Sequence, residues 1–75
     1  KEEGKMPIAI APLDADFTIV KILADEKTKK HLASLGVVVN GKIRILSSAN
    51  GNVITLVKGV RLALNRDVAT KILVA

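Results

Sequence analysis

Apolar and polar residues alternate along several short segments of this chain, and a period of two predicts β-strands. The segments are residues 17–23, 42–47, 60–64 and 71–75, all rich in aliphatic side chains. The residues predicted to face a shared core are Val20, Ile22, Ile43, Ile45, Val60, Leu62, Leu64, Ile72 and Val74. Short strands with one apolar face favour a small antiparallel sheet.

The dipeptide Asn50-Gly51 lies between two apolar segments and predicts a hairpin with a two-residue turn. Such a turn would pair Ala49 with Asn52. The apolar residues that would then share the inner face are Ile43, Ile45, Ile54 and Leu56, with Ile45 opposite Leu56. A shift of one residue would reverse the faces, so the agreement of turn and pattern supports this register.

One helix is predicted between the first two strands, over Glu26–Leu35. Asp25 is a suitable N-cap, because its carboxylate can accept a hydrogen bond from an N–H group of the first turn. Gly36 would end the helix, because glycine readily adopts the left-handed conformation found after helix C-termini. The stripe expected to dock on the sheet comprises Thr28, Leu32 and Leu35.

The connections between these elements carry turn-forming residues. Residues 13–16 and 39–41 are predicted turns, the second because asparagine tolerates a positive φ better than other non-glycine residues. Asn65 is a suitable cap for a single helical turn over 65–69.

The N-terminal end has a different character from the rest. Residues 1–6 are mostly charged, and we expect a disordered tail there, or residues appended to the natural protein. Residues 7–75 would then form the domain. Pro7 and Pro12 favour an extended lead-in between them, because proline donates no backbone hydrogen bond and disfavours helix at its predecessor.

The elements together predict a mostly β fold of about five strands with one short α-helix. A chain of 75 residues forms one domain at most. The expected architecture is a small closed antiparallel β-barrel plugged by the helix. Closure would also protect strands this rich in Val and Ile from pairing with other chains.

The composition narrows the classes of function. The chain has 12 Lys and Arg residues and 7 Asp and Glu residues, which gives a net charge of +5. A positive net charge favours binding to nucleic acid or to anionic membranes. Phe17 is the one aromatic residue, however, and proteins that bind single strands stack bases on aromatic side chains.

No segment approaches the ~18 apolar residues of a membrane span, and the absence of cysteine fits a reducing compartment. We therefore expect a cytoplasmic protein that does not insert into membranes, and we favour a solvated basic surface over a nucleic-acid-binding one.

Few residues could carry chemistry. Without cysteine, disulfides and thiolate metal sites are excluded. His31 is the single histidine and follows two lysines, which is more typical of a solvated helix residue than of a metal ligand. Asp14 and Asp16 suit hydrogen bonds within a turn better than a cation site. No nucleophile–base set or phosphate-binding loop is recognisable, so we expect no enzyme activity, no cofactor and no metal site.

Three segments resemble the ferrous iron transport protein A (FeoA) domain family, whose fold is an SH3-like barrel. They are residues 13–22, 32–36 and 62–74. The family usually has Pro-Gly where this chain has Val39-Asn40, which keeps a residue able to adopt the left-handed conformation but loses the rigidity of proline.

The resemblance implies a non-enzymatic accessory protein of ferrous iron uptake. Its implied partner is a membrane transporter for ferrous iron that carries a cytosolic GTP-binding domain. The same barrel also occurs as the C-terminal domain of metal-dependent repressors. Two alternatives stay open, a small basic barrel that binds nucleic acid and a metal-sensing regulatory domain.

Three consecutive valines follow the predicted helix, and in a loop they cannot all face inward. With the neighbouring helix residues they suggest a small apolar contact patch rimmed by lysines. The predicted partner-binding residues are Leu32, Leu35, Val37, Val38 and Val39. The partner would be the cytosolic region of the transporter or another copy of this domain.

Overall fold

Six antiparallel strands form one rolled sheet in the computed structural model, which describes residues 5–75. The strands are β1 (Met6–Pro7), β2 (Ala15–Ile22), β3 (Lys42–Ala49), β4 (Asn52–Val57), β5 (Val60–Leu64) and β6 (Ile72–Val74). The helical segments are a 3₁₀ helix (Ile8–Ile10), α1 (Glu26–Ser34) and α2 (Arg66–Ala69). The strand order is β1-β6-β2-β3-β4-β5, so β1 and β5 are the outer strands. The prediction of a mostly β fold is confirmed.

The interior of the sheet is filled by the two shorter helical segments more than by α1. The 3₁₀ helix and α2 contact each other, and both contact β4. Each contributes a fully buried residue, Ile8 and Ala69 respectively. In α1 the single buried residue is Leu32. The helix expected to plug the barrel is therefore attached to it by one side chain.

A β-bulge changes the register of the β3–β4 hairpin from the predicted one. The ladder is as predicted next to the turn, but it shifts between Ile45 and Ser47, so that Ile45 lies opposite Thr55 instead of Leu56. The β4 residues that face the core are Val53, Thr55 and Val57. The predicted inward positions of Ile54 and Leu56 are therefore wrong, because the extra residue in β3 places Ile45 opposite Thr55, on the face of β4 that Val53, Thr55 and Val57 share.

A second irregularity lies in β2, between Ile19 and Lys21. Ile19 is fully buried, whereas Val20 is half-buried, so the prediction that Val20 faces the core is wrong. Ile22 is buried as predicted. The physical reason is again a bulge, which breaks the strict alternation of inward and outward side chains.

The last two strands differ in burial because of their places in the sheet. In β6, which lies between β1 and β2, Ile72 and Val74 are fully buried, as predicted. In β5, an outer strand, Leu64 is buried and Leu62 is half-buried. Val60 is 56% exposed, which contradicts its predicted inward position. It directly follows a turn at the open edge, where little of the chain covers it.

The N-terminal residues contribute more to the fold than expected. The segment predicted as an extended lead-in is a 3₁₀ helix, and its first residue, Ile8, is fully buried. Met6, in the predicted tail, pairs with Val74 in β1. The rest of that prediction concerns residues 1–4, which lie outside the described residues. The ring of Pro7 fits an outer strand, which has one unpaired side.

The predicted turn at 39–41, the hairpin turn and the caps have the expected backbone geometry, whereas the last two residues of the predicted turn at 13–16 already belong to β2. Asn40 has φ +72° and Asn50 has φ +55°, both left-handed. Asn50 and Gly51, with φ +86°, form the two-residue hairpin turn with positive φ at both positions. Asn65 caps α2, because its side chain accepts a hydrogen bond from the Val68 N–H at 3.0 Å.

Candidate partner-binding surface

Helix α1 begins at a charged cap. The Asp25 Oδ1 atom accepts a hydrogen bond from the Thr28 backbone N–H at 2.8 Å. Hydrogen bonding by the Thr28 side chain, and then by this N–H, lowers the pKa of Asp25 from its ordinary value of 3.8. The carboxylate is thus favoured at the end of the helix where backbone N–H groups are exposed.

The end of α1 turns the chain back towards the sheet. Gly36 has φ +95°, and a Cβ atom there would lie 3.2 Å from Val57 Cγ1. The Val37 N–H donates to the carbonyl oxygen of Leu32 at 2.9 Å, which closes the helix end. Leu32 and Val37 are 2% and 0% exposed, so both point into the core beneath this turn.

The loop between α1 and β3 is held by backbone hydrogen bonds to β2. The Asn40 N–H donates to the carbonyl oxygen of Ile19 at 2.7 Å, and the Ile19 N–H donates to that of Gly41 at 2.9 Å. Within the loop, the Gly41 N–H donates to the carbonyl oxygen of Val38 at 2.9 Å. The valines before Asn40 are therefore presented on a fixed backbone.

Val38 and Val39 line one side of a shallow groove of about 290 Å³ between α1 and β2. Its lining residues are Val20, Lys21, Ile22, Lys29, Ala33, Val37, Val38 and Val39. The aliphatic side chains make its walls apolar, while Lys21 and Lys29 bring two cations to it. Lys29 also lies 3.9 Å from the Glu26 carboxylate, an exposed and weak ion pair.

The five residues predicted to bind a partner divide into two groups. Leu32 and Val37 are buried, so they can position this surface but cannot touch a partner. Leu35, Val38 and Val39 are 37%, 37% and 50% exposed. We call these three residues the loop surface.

Sequence reasoning missed the contribution of β2 to the groove. Val20 and Lys21 line it, but the alternation pattern assigned Val20 to the core. A β-bulge cannot be read from that pattern, so the sequence held no direct signal for this wall. The lysines expected to rim the patch are represented in the groove by Lys21 and Lys29.

The other candidate residues are dispersed. His31 is exposed on α1, and its carbonyl oxygen accepts a hydrogen bond from the Ser34 hydroxyl at 2.6 Å. Asp14 has φ +57° in the turn before β2, and Asp16 pairs with Arg44 at 3.0 Å. Across residues 5–75, no three His, Asp or Glu side chains come together in an arrangement that could hold a metal ion.

A second cleft, of about 460 Å³, lies where β2 and β3 meet the last residue of the chain. It is lined by Asp16, Phe17, Thr18, Lys42 and Ala75. Lys42 Nζ donates to Thr18 Oγ1 at 2.9 Å, and Arg44 pairs with Asp16 beside it. The cations near this cleft are thus engaged by the chain itself, and no basic cluster faces solvent there.

The structure defines the chain as a small SH3-like barrel whose distinguishing surface feature is an apolar loop beside a short helix. Within the described residues no helix is long and apolar enough to cross a membrane. The family model of the FeoA domain matches residues 6–75, and the chain belongs to the FeoA domain family. The family membership expected from the sequence resemblance is confirmed.

Relatives and solved structures agree with this assignment. The chain is 32% identical over 68 residues to Fe(2+) transport protein A of Methanocaldococcus jannaschii, covering 91% of this chain and 83% of that protein. It is similar to the crystal structure of an iron uptake regulatory protein, FeoA, with a TM-score of 0.82 and 25% identity over 95% of both chains. A manganese-dependent transcriptional repressor shares the fold alone, with a TM-score of 0.84 at 19% identity over 95% of this chain and 41% of the repressor.

Proposed function

We propose that this protein is a non-enzymatic accessory protein of ferrous iron uptake, which contacts the membrane ferrous iron transporter from the cytoplasmic side. Its membership of the FeoA family, and the name of its relative as an Fe(2+) transport protein, support the process. The contact itself is inferred from the loop surface. The observation that carries it is the exposure of Val38 and Val39 on a loop fixed to β2.

Two features suit the loop surface to protein binding. Val38 and Val39 lie beside Lys21 and Lys29 in the groove, and an apolar centre with a charged rim is the usual anatomy of an interface. The hydrogen bonds between the loop and Ile19 fix its backbone before any partner arrives. Less conformational entropy is then lost on binding than if the loop were ordered by its partner.

Catalysis is not part of this proposal. In the cleft between β2 and β3, the polar side chains are committed to hydrogen bonds or an exposed ion pair within the chain, Asp16 with Arg44 and Lys42 with Thr18. Any hydrolysis of GTP in the system would belong to the partner. The accessory protein would act by binding alone, through the difference in its affinity for the conformations of the transporter.

The test is retention of the detergent-solubilised transporter from iron-limited cell membranes on the immobilised protein. Val38→Glu places a carboxylate in the apolar centre, and we expect it to abolish retention while leaving the fold intact. Ile10→Glu is the matched control, because Ile10 is 73% exposed on a different element. Both variants are checked by amide spectra for an unchanged fold. Normal retention by a folded Val38→Glu variant would refute the proposed contact.

A further inference from the structure

One edge of the sheet is open along a complete strand. In the strand order, β5 is an outer strand, paired with β4 on one side along all five of its residues. The opposite outer strand, β1, has two residues and includes Pro7, so it offers little backbone for further pairing. The edge of β5 contains no proline and is the longer of the two.

The register of the β4–β5 hairpin determines which backbone groups face outward. Val57 and Val60 flank the two-residue turn of Lys58 and Gly59, so they form a hydrogen-bonded pair. In an antiparallel ladder the hydrogen-bonded pairs recur at every second residue, which assigns Leu62 and Leu64 to the side of β4. The N–H and C=O groups of Arg61 and Ala63 therefore point away from the sheet.

The β3–β4 hairpin independently leads to the same assignment of inward and outward backbone groups. Ala49 and Asn52 flank the turn between β3 and β4, so Asn52 and alternate residues after it direct their backbone groups to β3. The intervening residues of β4 then direct theirs to β5, as the β4–β5 register requires. Among the described residues, the hydrogen bonds between segments include none from the backbone of Arg61 or Ala63.

The side chains along this edge are basic and apolar. Lys58 and Arg61 are exposed, and neither forms an ion pair within residues 5–75. Val60, between them, is 56% exposed. A strand laid against β5 would thus meet Arg61 on one face and the aliphatic side chain of Val60 on the other, since alternate residues face opposite sides, with Lys58 at the turn end of the edge.

We propose that the open edge of β5 binds an extended acidic segment of a partner protein, which adds to the sheet as a further strand. The backbone groups of Arg61 and Ala63 form the hydrogen bonds, and acidic side chains of the segment pair with Lys58 and Arg61. This is β-strand addition, in which the main chain supplies affinity and alternate side chains supply specificity. The outward backbone groups of Arg61 and Ala63 belong to β5 and not to the loop surface, whereas Lys58 lies beside Gly36, where a Cβ atom would be 3.5 Å from its Cδ.

The probe is a short acetylated peptide in which Glu alternates with Val, added to the full-length, isotope-labelled protein. We expect the amides of Arg61 and Ala63 to exchange rapidly in the free protein and slowly with the peptide bound. The amides of Val60, Leu62 and Leu64 are already bonded to β4 and should change little. A peptide in which Lys alternates with Val should not bind.

Two variants test the two parts of the interaction. Ala63→Pro removes an outward N–H without touching the ladder to β4, so the fold should persist and peptide binding should be lost. Ala63→Thr is its control and should bind normally. Arg61→Glu should weaken binding about two- to fivefold, the contribution of one exposed ion pair. Equal binding by the folded Ala63→Pro variant would overturn the proposal.

Other occupants of the edge give different results. Without peptide, the protection of the Arg61 and Ala63 amides could rise with protein concentration. That result would indicate that a second copy of the chain occupies the edge, and it would overturn the proposal of an acidic partner segment. Binding of oligouridylate but not of the peptide would overturn the same proposal and would indicate that the edge binds nucleic acid. A Val38→Glu variant keeps the outward N–H and C=O groups of Arg61 and Ala63, so the peptide should still protect those amides when the transporter contact is lost.

Discussion

Helix α1 is attached to the barrel by one buried side chain, and this makes Leu32→Ala an informative perturbation. Leu32 is 2% exposed, and it is the single buried residue of the helix. Substituting a fully buried leucine by alanine costs about 2–5 kcal/mol, of which part is the cavity left behind. We take about 3 kcal/mol, because a short helix at the surface can partly close over the space.

This loss should act on α1 and not on the sheet. A helix of nine residues is marginal in isolation, so without Leu32 little holds it in place. The remaining core residues of the described chain come from the strands, the 3₁₀ helix, α2 and the segments connecting them, so we expect the sheet to persist when α1 detaches. A change of about 3 kcal/mol raises the fraction of molecules with α1 detached roughly a hundredfold.

Amide hydrogen exchange measures this opening residue by residue. We expect amides of α1 to lose about two orders of magnitude in protection, while those of β3 and β6 change much less. Leu35→Ala is the control, because Leu35 is 37% exposed and its truncation should cost less than about 1 kcal/mol. Parallel loss of protection in α1 and in the sheet would refute the reasoning, because it would place the helix inside the cooperative core.

Two further predictions concern the cap of α1 and the tip of the β3–β4 hairpin. Because the folded pKa of Asp25 is lowered, its contribution to stability is complete above the ordinary value of 3.8 and is lost as pH falls through the folded pKa. The amide chemical shift of Thr28 should therefore change with pH with a midpoint below pH 3.8. Asp25→Asn keeps an oxygen that can accept the capping hydrogen bond but cannot titrate, so it should abolish this change. A midpoint above pH 3.8 would contradict the lowered pKa of Asp25. Gly51→Ala should lower the free energy of unfolding in urea by about 1–2 kcal/mol or more, because φ is +86° and the new Cβ would lie 2.6 Å from Arg66 Cδ. Gly59→Ala should lower the free energy of unfolding by less, because φ is +80° there but no atom lies within 4 Å of the new Cβ. Equal losses for the two variants would show that the Arg66 side chain moves aside at no cost.

The features that the sequence predicted well depend on residues close together in the chain. The Asp25 and Asn65 caps form as expected, because each side chain needs only the N–H group three residues ahead. Asn50 and Gly51 produce their turn because positive φ is a property of those residue types. Local chemistry of this kind is complete within a few residues, so tertiary packing has little power to change it.

The errors at Ile54, Leu56 and Ile8 arise where distant segments meet. Ile54 and Leu56 were assigned to the core by a regular ladder, but one bulge in β3 places Ile45 opposite Thr55, so the other face of β4 is the buried one. Ile8 was assigned to an extended lead-in, yet it fills the space between β4 and β6. In each case the packing of the barrel interior overrides the local pattern, because burying an aliphatic side chain outweighs a modest backbone preference.

At the candidate site, too, the features that depend on neighbouring residues were predicted and those that depend on tertiary packing were not. The sequence by itself determined that a short capped helix ends at Gly36 and that the valines after it could not all be buried. Only the tertiary structure decided that Val37 is the buried one, and that Val38 and Val39 form a groove wall with β2. The helix end follows from φ preferences within one turn, whereas the exposure of each valine depends on hydrogen bonds that fix the loop to Ile19 from a distant part of the chain.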